Sequence, residues 1–197
     1  MAKEDIVLGY GKLYYAPLAT ANPDETTVAF DAAWTSWTAL GDTLEPVRFN
    51  LNEERVDVMT QQSQGILKRY RTVRKPTVRT VLAEHVGATL AMIWGGTNVI
   101  TAAGAAQKAF NELKVGNEPI VSTYKFGLEV LYVASAGSKQ AVRYFWNIGD
   151  IAPDGDTTYD KAKEAGIPIL INVFEDTGAA AGEEFMTMQV ITSPVTA

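Results

Sequence analysis

The chain contains no cysteine and only one histidine, His85, in 197 residues. The lack of cysteine excludes disulfides, a thiolate nucleophile and cysteine-based zinc sites. A single histidine also excludes Cys–His catalytic pairs and metal sites that use several histidines. A chain without disulfides suits assembly in a reducing cytoplasm, and we expect this protein to be made and assembled there.

Long apolar runs and targeting signals are missing too. The first residues, MAKEDIVLGYG, lack the order of basic, apolar and small residues that marks a signal peptide. The apolar run in IPILINVF is far shorter than a membrane span. The sequence therefore predicts a soluble protein that has no membrane partner.

Catalytic and cofactor-binding motifs are likewise absent. The chain has no GxSxG elbow, Walker loop or HExxH motif, and the Gly9-Tyr10-Gly11 run lacks the third glycine of a dinucleotide fingerprint. The run from Asp154 to Asp156 resembles the start of a calcium loop, but the later bidentate glutamate is missing and turn chemistry accounts for it. We predict no enzyme activity, no catalytic residue, no cofactor and no metal site.

The chain does have a series of segments in which apolar and polar residues alternate. This period of two, with many β-branched and aromatic residues, is typical of strands that bury one face. In YKFGLEVLYV, for example, Tyr124, Phe126 and Leu128 share one face. Seven segments follow the pattern and predict a mainly β fold: 6–15, 47–58, 70–82, 124–134, 142–148, 167–174 and 185–191.

One segment departs from this alternation. In VLAEHVGATLAMIWGG, the residues Leu82, Val86, Leu90 and Ile93 recur near helical spacing, and two glycines follow as a stop signal. The sequence therefore predicts a single α-helix here, with His85 inside it. The neighbouring stretch GGTNVITAAGAAQ is rich in turn residues and predicts a connection.

Positive charge is concentrated in one place. Segment 68–79, KRYRTVRKPTVR, holds six of the 17 Lys and Arg residues, which leaves 11 of them against 23 Asp and Glu residues in the rest of the chain. A basic stretch that includes an aromatic residue is typical of nucleic-acid binding, but so acidic a remainder repels DNA at long range. The cations of this stretch therefore need another explanation.

A charge-paired antiparallel hairpin supplies one, because EERVD and RTVRK flank the polar connection MTQQSQGILKRY. One register opposes three pairs of unlike charge: Glu53 with Lys75, Glu54 with Arg74, and Asp57 with Arg71. Each pair contributes about 0.2–1 kcal/mol, so together they select the register more than they stabilise the fold. In this register neither face of the ribbon is continuously apolar. A two-stranded ribbon is marginal alone in water, so we expect it to lie over the body or to dock on another chain.

The order of these features along the chain resembles the major tail tube proteins of long-tailed bacteriophages. The resemblance rests on the strand GKLYYAPLAT, the turn AWTSWTALGDT, the strand–loop–strand unit through RTVRKPTV, one helix ending in WGG and a β-rich second half. It implies a single tail-tube-like domain over residues 1–197, built as a β-sandwich or barrel-like fold flanked by a helix. It also implies hexameric rings whose inner sheets join into one barrel and whose stacking makes a tube for DNA ejection.

The resemblance also implies partners and an arm. Copies of the same chain and tail proteins such as the tape measure and the terminator are the expected partners in the virion tail, with DNA passing through transiently. In that family the long loop or hairpin after the second strand reaches beyond its own subunit, and it maps onto Asp57–Arg74. We predict an inter-subunit arm at about 57–74 with six candidate contact residues: Asp57, Ile66, Arg69, Tyr70, Arg71 and Arg74.

A lumen through which DNA slides should be acidic or neutral, because a basic wall would neutralise phosphates and hold the duplex. In FNLNE, Phe49 and Leu51 point one way, so the other face is the predicted wall. Its candidate lumen-facing residues are Asn50, Asn52 and Glu54. Glu129, which lies opposite Phe126 and Leu128 by alternation, is a second candidate.

Two other assignments fit the same composition. One is a carbohydrate- or calcium-binding β-sandwich module that displays Trp34, Trp37 or Trp94 to a sugar, with the DGD turn holding calcium. Exposed tryptophans beside a groove would favour it. The other is a capsid decoration protein, which is also a structural virion protein.

Overall fold

The computed structural model describes residues 6–23, 28, 31–58, 66, 68–104, 106–116, 121–133, 139–157 and 165–191, of which 6–10, 131–133 and 139–140 are described by their backbone only. The tip of the predicted hairpin, 59–65 and 67, lies outside the described residues.

The described chain is mainly β with one α-helix, as the sequence predicts. The elements are β1 Ile6–Ala16, β2 Thr38–Gly41, β3 Arg48–Asn50, β4 Glu53–Val58, β5 Lys68–Arg74, β6 Thr77–Leu82, α1 Gly87–Trp94, β7 Gly96–Thr101, β8 Phe110–Val115, β9 Tyr124–Val133, β10 Lys139–Pro153, β11 Ile167–Phe174 and β12 Met186–Val190.

Most strands belong to one antiparallel sheet in the order β2-β1-β9-β10-β11-β6-β3, and β12 also pairs with β10. The sheet branches at β10, which is 15 residues long. Its residues 142–146 pair with β12 and its residues 148–153 pair with β11. The register against β9 shifts between Trp146 and Gly149, at the branch. The β11-β6-β3 branch lies over β1, β9 and β10, with the Phe49 ring of β3 at 5.8 Å from the Trp146 ring of β10, which gives a β-sandwich-like fold.

The core lies between these two layers. Alternation along β9 turns Phe126, Leu128 and Val130 inward, where they join one buried cluster with Ile169 and Ile171 of β11. This is the face that the sequence pattern predicts. Helix α1 adds Ile93 to the same cluster.

The opposite face of β1, β9 and β10 is also covered. Trp34 and Trp37, from the segment before β2, pack on Tyr14 and Phe145 in a second buried cluster. Gly127 of β9 lies beneath them, and a Cβ built there would come within 2.5 Å of the Trp34 ring. The central strands of the sheet are therefore buried on both faces, whereas simple alternation predicts one solvated face.

The helix is shorter than predicted. It spans Gly87–Trp94 and ends at Gly95, whose left-handed φ of 66° and N–H bond to the Ala91 carbonyl form the expected stop. The predicted first turn is wrong, because Leu82 still belongs to β6, where it pairs with Ile167 of β11. His85 lies outside the helix in the exposed connection between β6 and α1.

A second hairpin occurs where the sequence predicts a connection. Strand β7 pairs with β8 along its full length, from Gly96 opposite Val115 to Thr101 opposite Phe110. The prediction of a turn from GGTNVITAAGAAQ is wrong for its first half. The run TNVIT contains four β-branched residues in five, and this was the available signal for a strand.

Candidate assembly surface

The predicted strand 47–58 breaks at a corner where the chain leaves the main sheet. Asn52 has a positive φ of 43°, so β3 stays in the main sheet and β4 forms a separate two-stranded ribbon with β5. The Asn52 side-chain amide donates to the Lys75 carbonyl at 3.0 Å and to the Thr77 hydroxyl at 3.1 Å. The Asn50 side-chain oxygen accepts from the Asn52 N–H at 3.0 Å. These bonds fix the point from which the ribbon departs.

The predicted hairpin is confirmed, but its predicted register is wrong. Glu53 faces Arg74, not Lys75, and Asp57 faces Arg69, not Arg71. The register shifts between Glu54 and Arg55, because β5 carries one extra residue, Thr72, as a bulge. The Thr72 hydroxyl donates to the Glu54 carbonyl at 3.2 Å, which anchors the bulge. A register chosen by matching unlike charges along two uninterrupted strands cannot reveal such a bulge.

The ribbon supplies its own partners for the basic stretch. The Glu53 carboxylate accepts from Arg55 at 2.8 Å, Arg71 at 3.0 Å and Arg74 at 2.8 Å. The Asp57 carboxylate accepts two hydrogen bonds from Arg69, one from Nε at 2.5 Å and one from Nη2 at 3.0 Å. The hydrogen bond from Arg55, followed by the hydrogen bond from Arg74 and the charge of Arg71, lowers the pKa of Glu53, and the hydrogen bond from Arg69 lowers the pKa of Asp57.

These ion pairs all lie on one face of the ribbon. The bulge moves Arg74 to the side of Glu53 and Arg71, and it moves Val73 to the side of Glu54. The other face carries Val56, Val58 and Tyr70, whose side chains are 52%, 40% and 54% exposed. Ile66, beside the start of β5, is 51% exposed. Glu54 and Lys68 lie at the two ends of this face, so neither face is continuously apolar, as expected, but the apolar middle of this face makes the ribbon amphipathic.

This register gives the first testable prediction. Glu53→Gln should loosen the base of the ribbon, because three guanidinium groups would lose their shared carboxylate and repel one another. Glu54→Gln, the matched control, should have little effect. Amide hydrogen exchange of β4 and β5 would show faster exchange for Glu53→Gln, with the sandwich strands unchanged. Equal effects of the two variants would contradict the observed register.

The same network gives a pH dependence. The folded-state pKa of Glu53 is lowered, so its contribution to ribbon pairing is complete above its ordinary pKa and is lost as the pH falls through the folded value. The protection factors of the β4 and β5 amides, which correct for the pH dependence of intrinsic exchange, should fall over that acidic window in the unaltered chain, and much less in Glu53→Gln.

Of the four predicted lumen-facing residues, three are exposed and one is buried. Asn50, Asn52 and Glu54 are all exposed, although the alternation that grouped them is interrupted at Asn52. Glu129 is only 1% exposed and pairs at 3.0 Å with Arg143, which is 0% exposed. Its other carboxylate oxygen accepts from the Asp31 N–H at 3.0 Å. The expectation that Glu129 faces a lumen is corrected, because its carboxylate is a buried link within the fold.

The residues that would favour a sugar or calcium module are engaged elsewhere. Trp34 is 2% exposed and stacks on Tyr14 with a ring separation of 4.3 Å, and Trp37 is 8% exposed. Trp94 is half-buried against the main core. Asp154 of the DGD turn contacts Arg79 at 3.4 Å. Within the described residues, no group of three acidic or histidine side chains could hold a metal ion.

The main sheet also has open edges. Within the part of the chain that the structure describes, β2 pairs only with β1, β3 only with β6, and β12 only with β10. Unpaired edges expose backbone N–H and C=O groups that can join another chain. The ribbon and these edges are the surfaces best suited to assembly.

Comparison with known proteins supports this interpretation. A family model described as phage tail tube protein matches residues 2–195. No curated protein matches the chain. In the described residues, no helix is both long and apolar enough to cross a membrane.

Proposed function

Because the chain belongs to the phage tail tube protein family, we propose that it forms hexameric rings that stack into the tube through which phage DNA is ejected. The family is one of structural tail proteins and not of enzymes, and its members assemble with copies of themselves and with other tail proteins. The protein is thus a component of the virion tail. This membership favours a tail protein over the carbohydrate module and the decoration protein considered from sequence.

The amphipathic ribbon is the observation that carries the proposal. A two-stranded ribbon is marginal in water, and this one leaves its own sheet at Asn52 with Val56 and Tyr70 half-exposed. A second protein surface would bury that apolar face and stabilise the ribbon. The ribbon thus has the properties expected of the inter-subunit arm, with Asp57, Arg69, Arg71 and Arg74 forming its charged side.

The open strand edges support ring closure. When several subunits pair edge to edge, the resulting barrel leaves no unpaired edge. We propose that β2, β3 and β12 supply these edges, that residues 1–197 act as one unit, and that assembly takes place in the host cytoplasm. The tape measure and terminator proteins are the proposed partners at the tube interior and end.

Negative-stain electron microscopy tests the proposal directly. The purified protein at high concentration, with and without the tail's initiating components, should give rings or tubes. Mass photometry of the same samples should show particles with the mass of six subunits. Monomers alone under every one of these conditions would contradict a self-assembling tube subunit.

The lumen wall is a separate part of the proposal, carried by Asn50, Asn52 and Glu54. Glu54→Lys is the sharper test, because replacing Asn52 would also remove the corner bonds to Lys75 and Thr77. The added cation should leave tube assembly intact and slow DNA ejection, more strongly at low salt, because it would bind passing phosphates. Ejection can be followed by DNA release from virions that carry the variant.

Glu112→Lys is the control for this charge change. Glu112 lies on β8 with an exposed carboxylate near Lys114, away from the β3–β4 corner. Normal ejection by Glu54→Lys virions at low ionic strength, or equal slowing by Glu112→Lys, would refute the lumen assignment of Glu54.

A further inference from the structure

Part of the inner face of the main sheet is uncovered. The register places Met188 of β12 beside Tyr144 of β10, and Val190 beside Val142. Met188 and Val190 are 53% and 47% exposed, whereas Val142 beside Val190 is buried.

A groove is lined in part by Tyr144, the residue that faces Met188 in the pairing of β10 with β12. Its volume is about 190 Å³, and its lining includes Phe49, Val130, Tyr144 and Trp146. Phe49 is 36% exposed at its rim. We call the surface formed by Phe49, Tyr144, Met188 and Val190 the apolar strip. It is large enough at its centre to receive part of an apolar side chain, and no described segment of the same chain covers it.

An acidic loop leads directly into this strip. Residues 175–184 contain four carboxylates, Glu175, Asp176, Glu183 and Glu184, and no lysine or arginine. The loop ends two residues before β12 begins. The strip therefore combines an apolar surface with negative charge at one end.

The ribbon has the complementary composition. Its apolar face carries Val56, Val58 and Tyr70, and Lys68 lies on the same face opposite Val58. The two ribbon strands together hold five cationic and three acidic residues. The apolar face of the ribbon and the apolar strip are both exposed, so the described residues of one chain cover neither surface.

We propose that the ribbon of one copy docks its apolar face on the apolar strip of a second copy. Tyr70 would lie over the groove beside Tyr144, and Lys68 would face the acidic loop. The contact joins two different surfaces, so it is heterologous and propagates into a closed ring or a stack of rings. This inference rests on the proposed tube function and identifies the surface that receives the arm.

The charges argue for this partner over DNA. Arg69, Arg71 and Arg74 are engaged by Asp57 and Glu53 on the opposite face of the ribbon. The apolar face that remains offers mainly aliphatic surface and a tyrosine, which suit a protein interface. A second copy supplies that surface together with the negative charge.

Because the chain has no cysteine, thiol cross-linking can be directed to chosen positions without background reaction. The variants Tyr70→Cys and Met188→Cys each introduce a single thiol into an otherwise cysteine-free chain. One variant carries a size tag, the two are mixed under assembly conditions, and a short bifunctional thiol reagent is added. We expect a mixed covalent dimer as the main product. The double variant, assembled alone, should give a ladder of covalent multimers.

Ile100→Cys is the matched control for Met188→Cys. Ile100 lies on β7, outside both surfaces, and is 73% exposed, so its thiol is at least as accessible. Mixing Ile100→Cys with Tyr70→Cys should give at least tenfold less mixed dimer. Equal cross-linking of the two mixtures would overturn the docking.

A second measurement covers the case in which a thiol disturbs assembly. Val56→Asp and Met188→Asp should each weaken oligomer formation at least tenfold by sedimentation, whereas Ile100→Asp should not. Normal tube assembly by both Val56→Asp and Met188→Asp would overturn the docking but not the tube function. The same holds if the cysteine variants form tubes and give no Tyr70–Met188 cross-link. Absence of any oligomer from the unaltered chain would overturn both.

Discussion

Replacing Glu129 with glutamine is expected to lower the free energy of unfolding by about 3–5 kcal/mol, because it leaves a buried guanidinium without its counter-charge. Arg143 and Glu129 are 0% and 1% exposed and pair at 3.0 Å. The loss also weakens the acceptor for the Asp31 N–H. Urea unfolding followed by tryptophan fluorescence gives the measurement, since Trp34 packs beside the Arg143 guanidinium at 5.7 Å.

Two controls define this prediction. The double variant Glu129→Leu/Arg143→Met should recover most of the loss, because apolar residues of similar volume can replace a buried ion pair at little cost. Asp154→Asn removes the partly exposed pair with Arg79 and should change stability by less than about 1 kcal/mol. A Glu129→Gln variant as stable as the unaltered chain would contradict the role given to the pair.

The pair matters beyond stability because it fastens a loop to the sheet. Arg143 donates to the Val28 carbonyl at 2.6 Å, and Lys12 of β1 forms an ion pair with Asp31. Burial, and then the charge of Glu129, raises the pKa of Tyr14 in the same region. We expect Glu129→Gln to release this loop before the main core unfolds, which would appear as early loss of the near-ultraviolet tryptophan signal.

Replacing Gly127 with valine is expected to cost about 3 kcal/mol, the upper end of the usual range for overpacking a filled core. Even a methyl group at this position would lie 2.5 Å from the Trp34 ring and 3.1 Å from the Trp37 ring. Because both rings are buried, they can make room only by lifting off the sheet. Thermal unfolding should show a reduced midpoint, and the near-ultraviolet circular dichroism should change.

Gly104→Ala and Gly116→Ala are the controls for this substitution. A Cβ at either position meets no atom within 4 Å in the described structure. Both should be neutral or slightly stabilising, because alanine restricts the unfolded chain more than glycine does. If Gly127→Val behaves like these two, the packing of the tryptophans on Gly127 is not what holds them in place.

The ribbon of β4 and β5 was predicted from the sequence in part. The clustering of EERVD and RTVRK was sufficient to predict a charge-paired ribbon, because cross-strand attraction depends on residue types that are visible in the sequence. The pairing partners were wrong. A one-residue bulge at Thr72 depends on a local bond to the Glu54 carbonyl, and it moves Arg74 and Val73 to opposite faces.

The predictions for the first turn of the helix and for the exposure of Glu129 were wrong for related reasons. Helical spacing from Leu82 to Ile93 was real, but pairing of Leu82 with Ile167 kept that residue in a strand. Alternation placed Glu129 on the face opposite the core, which was correct. It could not reveal that a distant segment carrying Trp34 covers that face.

The sequence by itself determined the mainly β class, the stop of the helix at Gly95, the inward face of β9 and the position of the ribbon. Each of these depends on local backbone preference or on a period of two. The tertiary structure alone decided the ribbon register, the burial of Glu129 with Arg143, the second hairpin β7–β8 and the uncovered strip beside β12. These depend on which segments meet across long separations in the chain, and burial and pairing energies at such contacts outweigh local preference.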